Sequence, residues 1–361
     1  MSLMRIPGRA YRLLFRTGRR QRIQSYLRYR NAQRQLALAE SEMRDGKTVV
    51  RARPVYLILD PGPICNLRCR FCRTGTGTGS LAKELLTPDT FARLVPNLPL
   101  DSLFEASLFN WGEPLLNPNL TEYIRFFADR GIQTVVHANF SARDYDDAYW
   151  EALVRSGLHH FVASVDGASQ ETYGAYRVGG DFERVLRNIG GLARTRNRLG
   201  SETPRISYKM ILNRINQHEE EKARELAGRL GVEFWLQEDF GILEPFRDEW
   251  TADRIREKYG TGQTTAVDMS AQSPVSTECR QMWDTLVLSA NGDVRACCQV
   301  HSPGCALGNL TREPFEDLWN SAKMQYLRRF ALDAQAAPPD FENWCVTCPL
   351  RNATFRKERG A

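Results

Sequence analysis

The sequence lacks any long hydrophobic run. No apolar stretch approaches the roughly 18 residues that a transmembrane helix needs, and the first 20 residues carry arginines where a secretory signal peptide would have an apolar segment. Internal repeats and long low-complexity tracts are also missing. We therefore expect a globular protein without a transmembrane segment, located in the cytoplasm. Its 361 residues suffice for one large domain and a smaller one.

Acidic residues and lysine are missing from the first 39 residues, which contain ten arginines. The whole chain carries +6, so the remainder carries −4. We predict a basic helical extension over residues 1–52. Such a helix packs its apolar side on the body of the protein, or lies on an anionic membrane surface, or meets nucleic acid or a phosphorylated or lipid-linked substrate. A transit peptide is a further alternative, although the stretch is not rich in serine.

Cysteine is abundant, but no cysteine lies between residues 72 and 279. Disulfides are rare in the cytosol, where clustered cysteines more often bind metal or take part in catalysis. The nine cysteines form two groups and therefore predict two sites. They are Cys65, Cys69 and Cys72 near the front, and Cys279, Cys297, Cys298, Cys305, Cys345 and Cys348 near the end.

Strand-like and helix-like segments alternate six times over residues 53–250. The expected strands cover residues 55–59, 102–109, 134–137, 160–165, 205–212 and 232–236. Helices are expected to begin at Thr87-Pro88 and to cover residues 120–129, 147–155, 181–195 and 219–230. This alternation predicts an α/β fold with parallel strands, a partial (β/α)6 barrel of the TIM type. In such barrels the loops at the carboxyl ends of the strands build the active site.

The pattern changes after residue 250. Residues 251–275 are rich in Gly, Thr, Ser and Gln and are interpreted as a linker. Asn291-Gly292 suits the turn of a β-hairpin formed by residues 285–289 and 294–299. A helix is expected over residues 315–330, within a small C-terminal domain of residues 276–361.

The first cysteine group has no fourth cysteine nearby. Cys65, Cys69 and Cys72 lie on one short loop after the first strand, and closely spaced thiolates on one loop can bind several irons of an iron–sulfur cubane. Three ligands leave the fourth iron open for another molecule. A zinc site or unrelated buried thiols are the alternatives.

The motif Cys65-x-x-x-Cys69-x-Phe71-Cys72 resembles the signature of the radical S-adenosylmethionine superfamily. The resemblance implies that a 4Fe-4S cluster chelates S-adenosylmethionine through its open iron. One electron then cleaves this cofactor to a 5′-deoxyadenosyl radical, which abstracts hydrogen from a substrate. It also implies an electron donor of the flavodoxin or ferredoxin type.

Further motifs carry the same resemblance. Gly112-Glu113-Pro114 is similar to the Gly-Glu-Pro motif that binds the methionine amino group, with Trp111 where the family more often has glycine. Asn139, Ser164 and Arg177 are similar in placement to residues near the cofactor; a capped turn and a surface salt bridge are the alternative roles for the last two. We expect Thr74–Ser80 to be a plain loop or a mobile segment next to the cluster rather than a phosphate-binding loop.

The second cysteine group resembles the SPASM/Twitch extension of the same superfamily. The resemblance implies one auxiliary 4Fe-4S cluster, and a structural zinc site is the alternative. Cys298 could replace Cys297 as a ligand, and Cys298 and Cys305 are candidate hydrogen donors or else inert buried thiols. The implied ligands are Cys279, Cys297, Cys345 and Cys348.

Three functions remain open from the sequence. The leading hypothesis is a radical oxidoreductase, possibly an epimerase, that acts on a small molecule or a saccharide. The second is a maturase that modifies a peptide. The third belongs to another class: a non-catalytic iron–sulfur electron carrier or a zinc-stabilised binding module.

Overall fold

The computed structural model describes residues 19–238, 252–253, 279–333, 335–346 and 348, with side chains from residue 25 onward. The strands are β1 (Tyr56–Leu59), β2 (Glu105–Ser107), β3 (Gln133–Ala138), β4 (His160–Ser164), β5 (Arg205–Ile211), β6 (Glu233–Gln237), β7 (Thr285–Leu288), β8 (Asp293–Arg295) and β9 (Gly308–Asn309). The helices are α1 (Arg19–Arg44), α2 (Arg73–Thr76), α3 (Pro88–Leu94), α4 (Leu120–Ala128), α5 (Asp147–Arg155), α6 (Gln170–Tyr176), α7 (Phe182–Arg198), α8 (Glu220–Arg229), α9 (Gln281–Asp284), α10 (Phe315–Trp319) and α11 (Ala322–Leu332).

Within the described residues, all nine strands belong to one sheet, in the order β6-β5-β4-β3-β2-β1-β7-β8-β9. Strands β1 to β6 are parallel neighbours in chain order, which confirms the α/β partial barrel. The sequence did not predict that β7 pairs in parallel with β1. Strands β8 and β9 follow as antiparallel neighbours, so the expected hairpin extends the barrel sheet.

The two faces of the parallel sheet differ sharply. Alternate strand residues such as Leu57, Val136 and Phe161 are fully buried and belong to the main hydrophobic core together with helix residues such as Phe127 and Trp150. Because side chains alternate across a strand, the other residues lie on the opposite face, which is the concave face of the partial barrel. These residues include Tyr56, Glu105, Ser107, His137, His160, Ser164, Ser207, Lys209 and Trp235.

Helix caps explain where several helices begin. The Thr87 side chain accepts a hydrogen bond from the backbone of Thr90, as the Thr87-Pro88 pattern predicts. The predicted helix over residues 315–330 was wrong, because the structure has two helices there. Helix α10 ends at Trp319, and Ser321 caps α11 by accepting from the Met324 N–H.

Helix α1 packs against the barrel. The Arg28 guanidinium donates hydrogen bonds to the carbonyl groups of Leu100, Leu103 and Arg130, and Ala39 is buried in the core. Residues 25–44 therefore pack on the body of the protein, partly through an arginine, while residues 1–18 lie outside the described residues. Among the described helices, none is long and apolar enough to cross a membrane.

The C-terminal elements are joined to the segment that follows α1. The Trp283 indole donates to the Lys47 carbonyl at 3.3 Å, and the Trp319 indole donates to the Ala52 carbonyl at 2.8 Å. The fully buried Arg328 donates from Nη1 to the Thr48 carbonyl at 2.8 Å. Apart from residues 252–253, the predicted linker over residues 251–275 lies outside the described residues.

Candidate active site

The thiol-bearing loop leaves β1 through a turn held by Asp60. One oxygen of this buried carboxylate accepts from the Gly62 N–H at 3.0 Å, and the other accepts from the Trp111 N–H at 3.2 Å. Burial raises the pKa of Asp60 to about 6. Asp60 therefore connects the loop after β1 with the loop after β2. The sequence reasoning missed this role, although an acidic residue directly after a buried strand was a usable signal.

Gly112 lies directly against the thiol-bearing loop. A Cβ atom at this position would stand 1.7 Å from the Gly62 carbonyl oxygen, so only glycine allows the approach. The next residue, Glu113, donates its N–H to the Ile64 carbonyl at 2.8 Å. Trp111, which replaces the more usual glycine, leaves this contact intact because the close approach occurs at Gly112.

Glu113 is a buried carboxylate in a fixed position. Its oxygens accept from the backbone N–H of Asn139 at 2.6 Å and of Leu115 at 3.2 Å. Burial raises the pKa of Glu113 to about 7. The Asn139 amide nitrogen lies 3.5 Å from Cys65 Sγ and donates to Asn66 Oδ1 at 3.0 Å. The ends of β1, β2 and β3 thus bring Glu113 and Asn139 to the first cysteine.

The three thiols of the loop stand close enough to influence one another. Burial raises the pKa of Cys65 to about 12, and the charges of Glu113, Cys69 and Cys72 add to this effect. Burial is also the main cause that raises the pKa of Cys69. The raised pKa values favour the protonated thiols. A bound metal reverses this preference, because a coordinated thiol loses its proton.

Arg177 forms a buried ion pair rather than the surface salt bridge that was one alternative for it. Its Nε donates to Asp166 Oδ2 at 2.8 Å, and its Nη1 lies 3.7 Å from Cys69 Sγ. Burial alone would lower the pKa of Arg177, but Asp166 and Cys69 outweigh it and raise the pKa well above its ordinary value. Asp166 has a left-handed backbone with φ of 63°, and its other oxygen accepts from the Ile211 N–H at 2.6 Å.

Other residues complete the rim. Ser164 ends β4 and is half-buried, two residues before Asp166. The Phe71 ring packs on the Tyr176 ring at a centroid distance of 5.3 Å, so Phe71 fixes the loop against the end of α6. Ser164 and Phe71 therefore lie where the sequence placed them, on the rim that carries the cysteines.

The segment Thr74–Ser80 differs from the loop that the sequence predicted. It begins inside the short helix α2, and a Cβ atom on Gly75 would stand 2.5 Å from the Cys69 nitrogen. Gly75 therefore lets α2 pack on the cysteine loop. This role was missed because alternating glycines are also common in flexible loops.

The second cysteine group centres on Cys297. Burial raises the pKa of this thiol well above its ordinary value, and the neighbouring Cys298, Cys345 and Cys348 raise it further. The Cys298 sulfur lies 3.4 Å from the Gln281 amide nitrogen, and its N–H donates to Gln281 Oε1 at 2.9 Å.

The Cys305 thiol lies beside Glu342. Burial raises the pKa of the Cys305 thiol, and Glu342 adds to the effect; the two side chains are 4.0 Å apart. The hydrogen-donor role of Cys298 and Cys305 stays a prediction, as does the ligand set Cys279, Cys297, Cys345 and Cys348.

Three residues connect the two cysteine groups. Arg73, directly after Cys72, lies 3.2 Å from His301 Nε2 through Nη1, and its guanidinium stands 4.3 Å from the centroid of the Trp344 ring. His301 and Trp344 pack edge to face at 4.6 Å. Since Arg73 directly follows Cys72 and Trp344 directly precedes Cys345, contacting side chains link the two cysteine groups.

Comparison with known proteins decides the family. Residues 59–198 match the radical SAM superfamily, and residues 279–349 match an iron–sulfur cluster-binding domain of the SPASM type. The chain belongs to the radical SAM superfamily. The first match contains the three-cysteine loop, and the second contains all six downstream cysteines.

Relatives in the superfamily have different activities. An AdoMet-dependent heme synthase of Methanosarcina barkeri is 30% identical over 170 residues, which cover 46% of this chain and 45% of that protein. A GTP 3′,8-cyclase of Alkaliphilus oremlandii is 26% identical over 151 residues, which cover 40% of this chain and 44% of that protein. The chain thus spans less than half the length of these curated relatives.

Among solved structures, SuiB of Streptococcus suis bound to S-adenosylmethionine superposes with a TM-score of 0.60 at 14% identity. The match covers 87% of this chain and 74% of SuiB. At this identity the similarity shows the fold, a radical SAM partial barrel followed by a C-terminal iron–sulfur domain.

The cofactors of this radical SAM chain are a 4Fe-4S cluster, S-adenosylmethionine and an auxiliary 4Fe-4S cluster. The first loop fits a cubane because it offers three thiols, with N–H donors from Leu67, Asn139 and Arg177 directed at sulfur. Within the described ranges, no three His, Cys, Asp or Glu side chains are arranged to hold a single metal ion. In a cubane each thiolate binds a different iron.

Proposed function

We propose that this protein cleaves S-adenosylmethionine reductively and oxidises a small organic molecule, such as a polyol or saccharide, by two electrons. When bound, the cluster and S-adenosylmethionine supply a 5′-deoxyadenosyl radical, which removes a hydrogen atom from a substrate C–H bond. Loss of one further electron and of a hydroxyl proton then turns an alcohol into a ketone. An auxiliary cluster held by the second cysteine group would accept that electron.

Residues of this chain have distinct roles in the proposal. Cys65, Cys69 and Cys72 would hold the cluster, and the buried Glu113 would accept hydrogen bonds from the amino group of S-adenosylmethionine. Arg177, oriented by Asp166, would contribute a positive charge beside the cluster and the cofactor carboxylate. Asn139 and Ser164 would contact the cofactor from the ends of β3 and β4.

The observation that supports a two-electron oxidation is the contact of Arg73 with His301 and Trp344. This contact links residues adjacent to Cys72 and Cys345, and so supports a second cluster near the first. An electron acceptor at that position favours removal of an electron from the substrate radical over return of a hydrogen atom. It therefore favours a dehydrogenase over an epimerase. A flavodoxin or ferredoxin would supply the first electron.

The test is anaerobic turnover of the reconstituted enzyme with S-adenosylmethionine, reductant and panels of polyols, saccharides, hydroxy acids and peptides in deuterated water. We expect a small-molecule product that has lost two hydrogen atoms. A product of unchanged composition that has gained deuterium at carbon would instead indicate an epimerase. Turnover of peptides alone would indicate a maturase; the structural neighbour SuiB of Streptococcus suis has been solved bound to a precursor peptide.

A further inference from the structure

The segment that follows helix α6 lies against the cysteine loop. The Arg68 N–H donates to the Val178 carbonyl at 2.8 Å. The Arg177 guanidinium lies beside the next residue of the loop, with Nη1 3.7 Å from Cys69 Sγ, and it stands 5.0 Å from the centroid of the Tyr176 ring. The backbone contact and the side-chain contact are neighbours in both segments, so the first holds the guanidinium beside the sulfur.

Asp166 determines which way the guanidinium faces. Nε and Nη2 of Arg177 both donate to Asp166 Oδ2, while Oδ1 accepts from the Ile211 N–H at 2.6 Å. Only 14% of the arginine side chain is exposed, and none of the aspartate side chain. Because one edge of the planar guanidinium is held by Asp166, the remaining nitrogen, Nη1, faces Cys69. The carboxylate therefore positions the donor.

The backbone around Asp166 holds the ion pair in place. Asp166 has φ of 63°, a left-handed conformation that aspartate and asparagine adopt more readily than most other residues. A Cβ atom on Gly167 would stand 2.7 Å from the Tyr173 nitrogen, so the turn after β4 packs directly on α6. The Asn216 amide donates to the Asp166 carbonyl at 3.1 Å. The turn that carries the aspartate and the helix that precedes the arginine are thus fixed to each other.

The donors at two thiols of the loop differ in charge. Cys65 Sγ accepts from the Leu67 N–H at 3.4 Å and lies 3.5 Å from the Asn139 amide nitrogen, and both of these donors are neutral. At Cys69 the donor is a guanidinium, which carries a full positive charge. A hydrogen bond from a charged donor is roughly twice as strong as one from a neutral donor. Such a bond strengthens further when a bound cluster gains an electron, because the sulfur becomes more negative.

From this geometry we infer that Arg177 raises the reduction potential of the radical SAM cluster by donating a charged hydrogen bond to the Cys69 thiolate, and that Asp166 is the residue that positions it. Net charge and hydrogen bonds to sulfur are among the factors that set such a potential. This role is additional to the one beside the cofactor carboxylate. It goes beyond the proposed oxidation, because uptake of the first electron precedes any chemistry on the substrate.

The experiment is a redox titration of the reconstituted holoenzyme, in which electron paramagnetic resonance follows the reduction of each cluster. Added S-adenosylmethionine identifies the signal of the first cluster, because that cluster has the open iron. In the double variant Asp166→Asn/Arg177→Met, the equilibrium constant for reduction of the first cluster should fall at least about tenfold, which is about 59 mV for one electron. Asparagine suits the left-handed backbone, and removal of both charges leaves neither of them buried without its partner.

The auxiliary cluster is the internal control, and its potential should not change. Arg187→Met is the matched control variant, since this arginine is exposed on α7 and pairs with Asp144 at 3.0 Å; it should leave both potentials unchanged. Arg177→Lys keeps the charge but loses the planar fork. It should lower the potential of the first cluster by less than the double variant does.

An unchanged or higher potential of the first cluster in the double variant would overturn the inference. An equal fall at both clusters, or in Arg187→Met, would overturn it as well, because it would indicate a general effect on the protein. If the double variant holds no cluster, Arg177→Lys decides by the same titration, and an unchanged potential there contradicts the role of Arg177.

Discussion

The two cysteine groups are built in opposite ways. The first occupies eight consecutive residues on one loop, and its surroundings of Glu113, Asn139 and Arg177 come from the ends of neighbouring parallel strands. The second draws on residues between 279 and 348, which only tertiary structure brings together. The spacing of cysteines on one loop can therefore specify the first site. The auxiliary site depends instead on how the C-terminal elements extend the barrel sheet.

The largest difference between the two cysteine groups is expected when one thiol is removed from each of them in separate variants. Cys69→Ala should abolish 5′-deoxyadenosine formation and lose about half of the iron, because only the first group leaves an iron open for S-adenosylmethionine. Cys297→Ser should lose a similar share of iron but still form 5′-deoxyadenosine. Anaerobic iron and sulfide analysis, with product chromatography, measures both.

Cys298→Ser is the control for this pair of variants, since it changes a neighbouring sulfur without removing the proposed ligand. It should retain the full iron content. Loss of iron in this variant, with normal iron in Cys297→Ser, would reassign the ligand to Cys298. Loss of all 5′-deoxyadenosine in Cys297→Ser would contradict the division of roles.

A methyl group at Gly112 tests how far the first site depends on contact between rim loops. Gly112→Ala should lower both thermal stability and cluster content, because its Cβ would overlap the Gly62 carbonyl. Overpacking of this kind costs about 1–3 kcal/mol. Calorimetry and the cluster absorbance measure the effect.

Gly228→Ala offers the matched control, because nothing lies within 4 Å of a Cβ atom at that position on helix α8. It should leave stability unchanged or raise it slightly, as alanine favours helix. Equal behaviour of the two variants would show that the contact between the rim loops is not required.

The buried Glu113 gives the first site a pH dependence of S-adenosylmethionine binding. Its pKa of about 7 means that the carboxyl group is mostly protonated at pH 6 and mostly ionised at pH 8. Affinity for S-adenosylmethionine should therefore rise about tenfold from pH 6 to pH 8. Glu113→Gln should bind more weakly at pH 8 and lose this rise. The same rise in the glutamine variant would assign the titration to another group.

Sequence predicted much of the barrel because its signals are local. Helix α5 has the bounds that the pattern predicted, with Asp146 as its cap, and the rim positions of Cys65 and Glu113 follow from the alternation of strands and helices. The pairing of β7 with β1 could not be read in this way, because it joins segments more than 200 residues apart.

Other features could not be predicted from the sequence, because they depend on close packing between distant segments. The break between α10 and α11 at Asn320-Ser321 is weak in sequence, because apolar residues continue across it; the Ser321 cap and the Asn320 hydrogen bonds to Val50 settle it. The position of His137 and Lys209 on the same face of the sheet was missed as well. They alternate with core residues on separate strands, and only the register of β3, β4 and β5 puts them on one face.

The most direct test of the central claim is incubation of the anaerobically reconstituted protein with dithionite and S-adenosylmethionine. For a radical SAM enzyme with one auxiliary cluster we expect about eight irons per chain, as two cubanes require, and formation of methionine and 5′-deoxyadenosine in equal amounts. A protein with its full iron and sulfide content that forms no 5′-deoxyadenosine, or a protein that holds zinc and no sulfide, would contradict it.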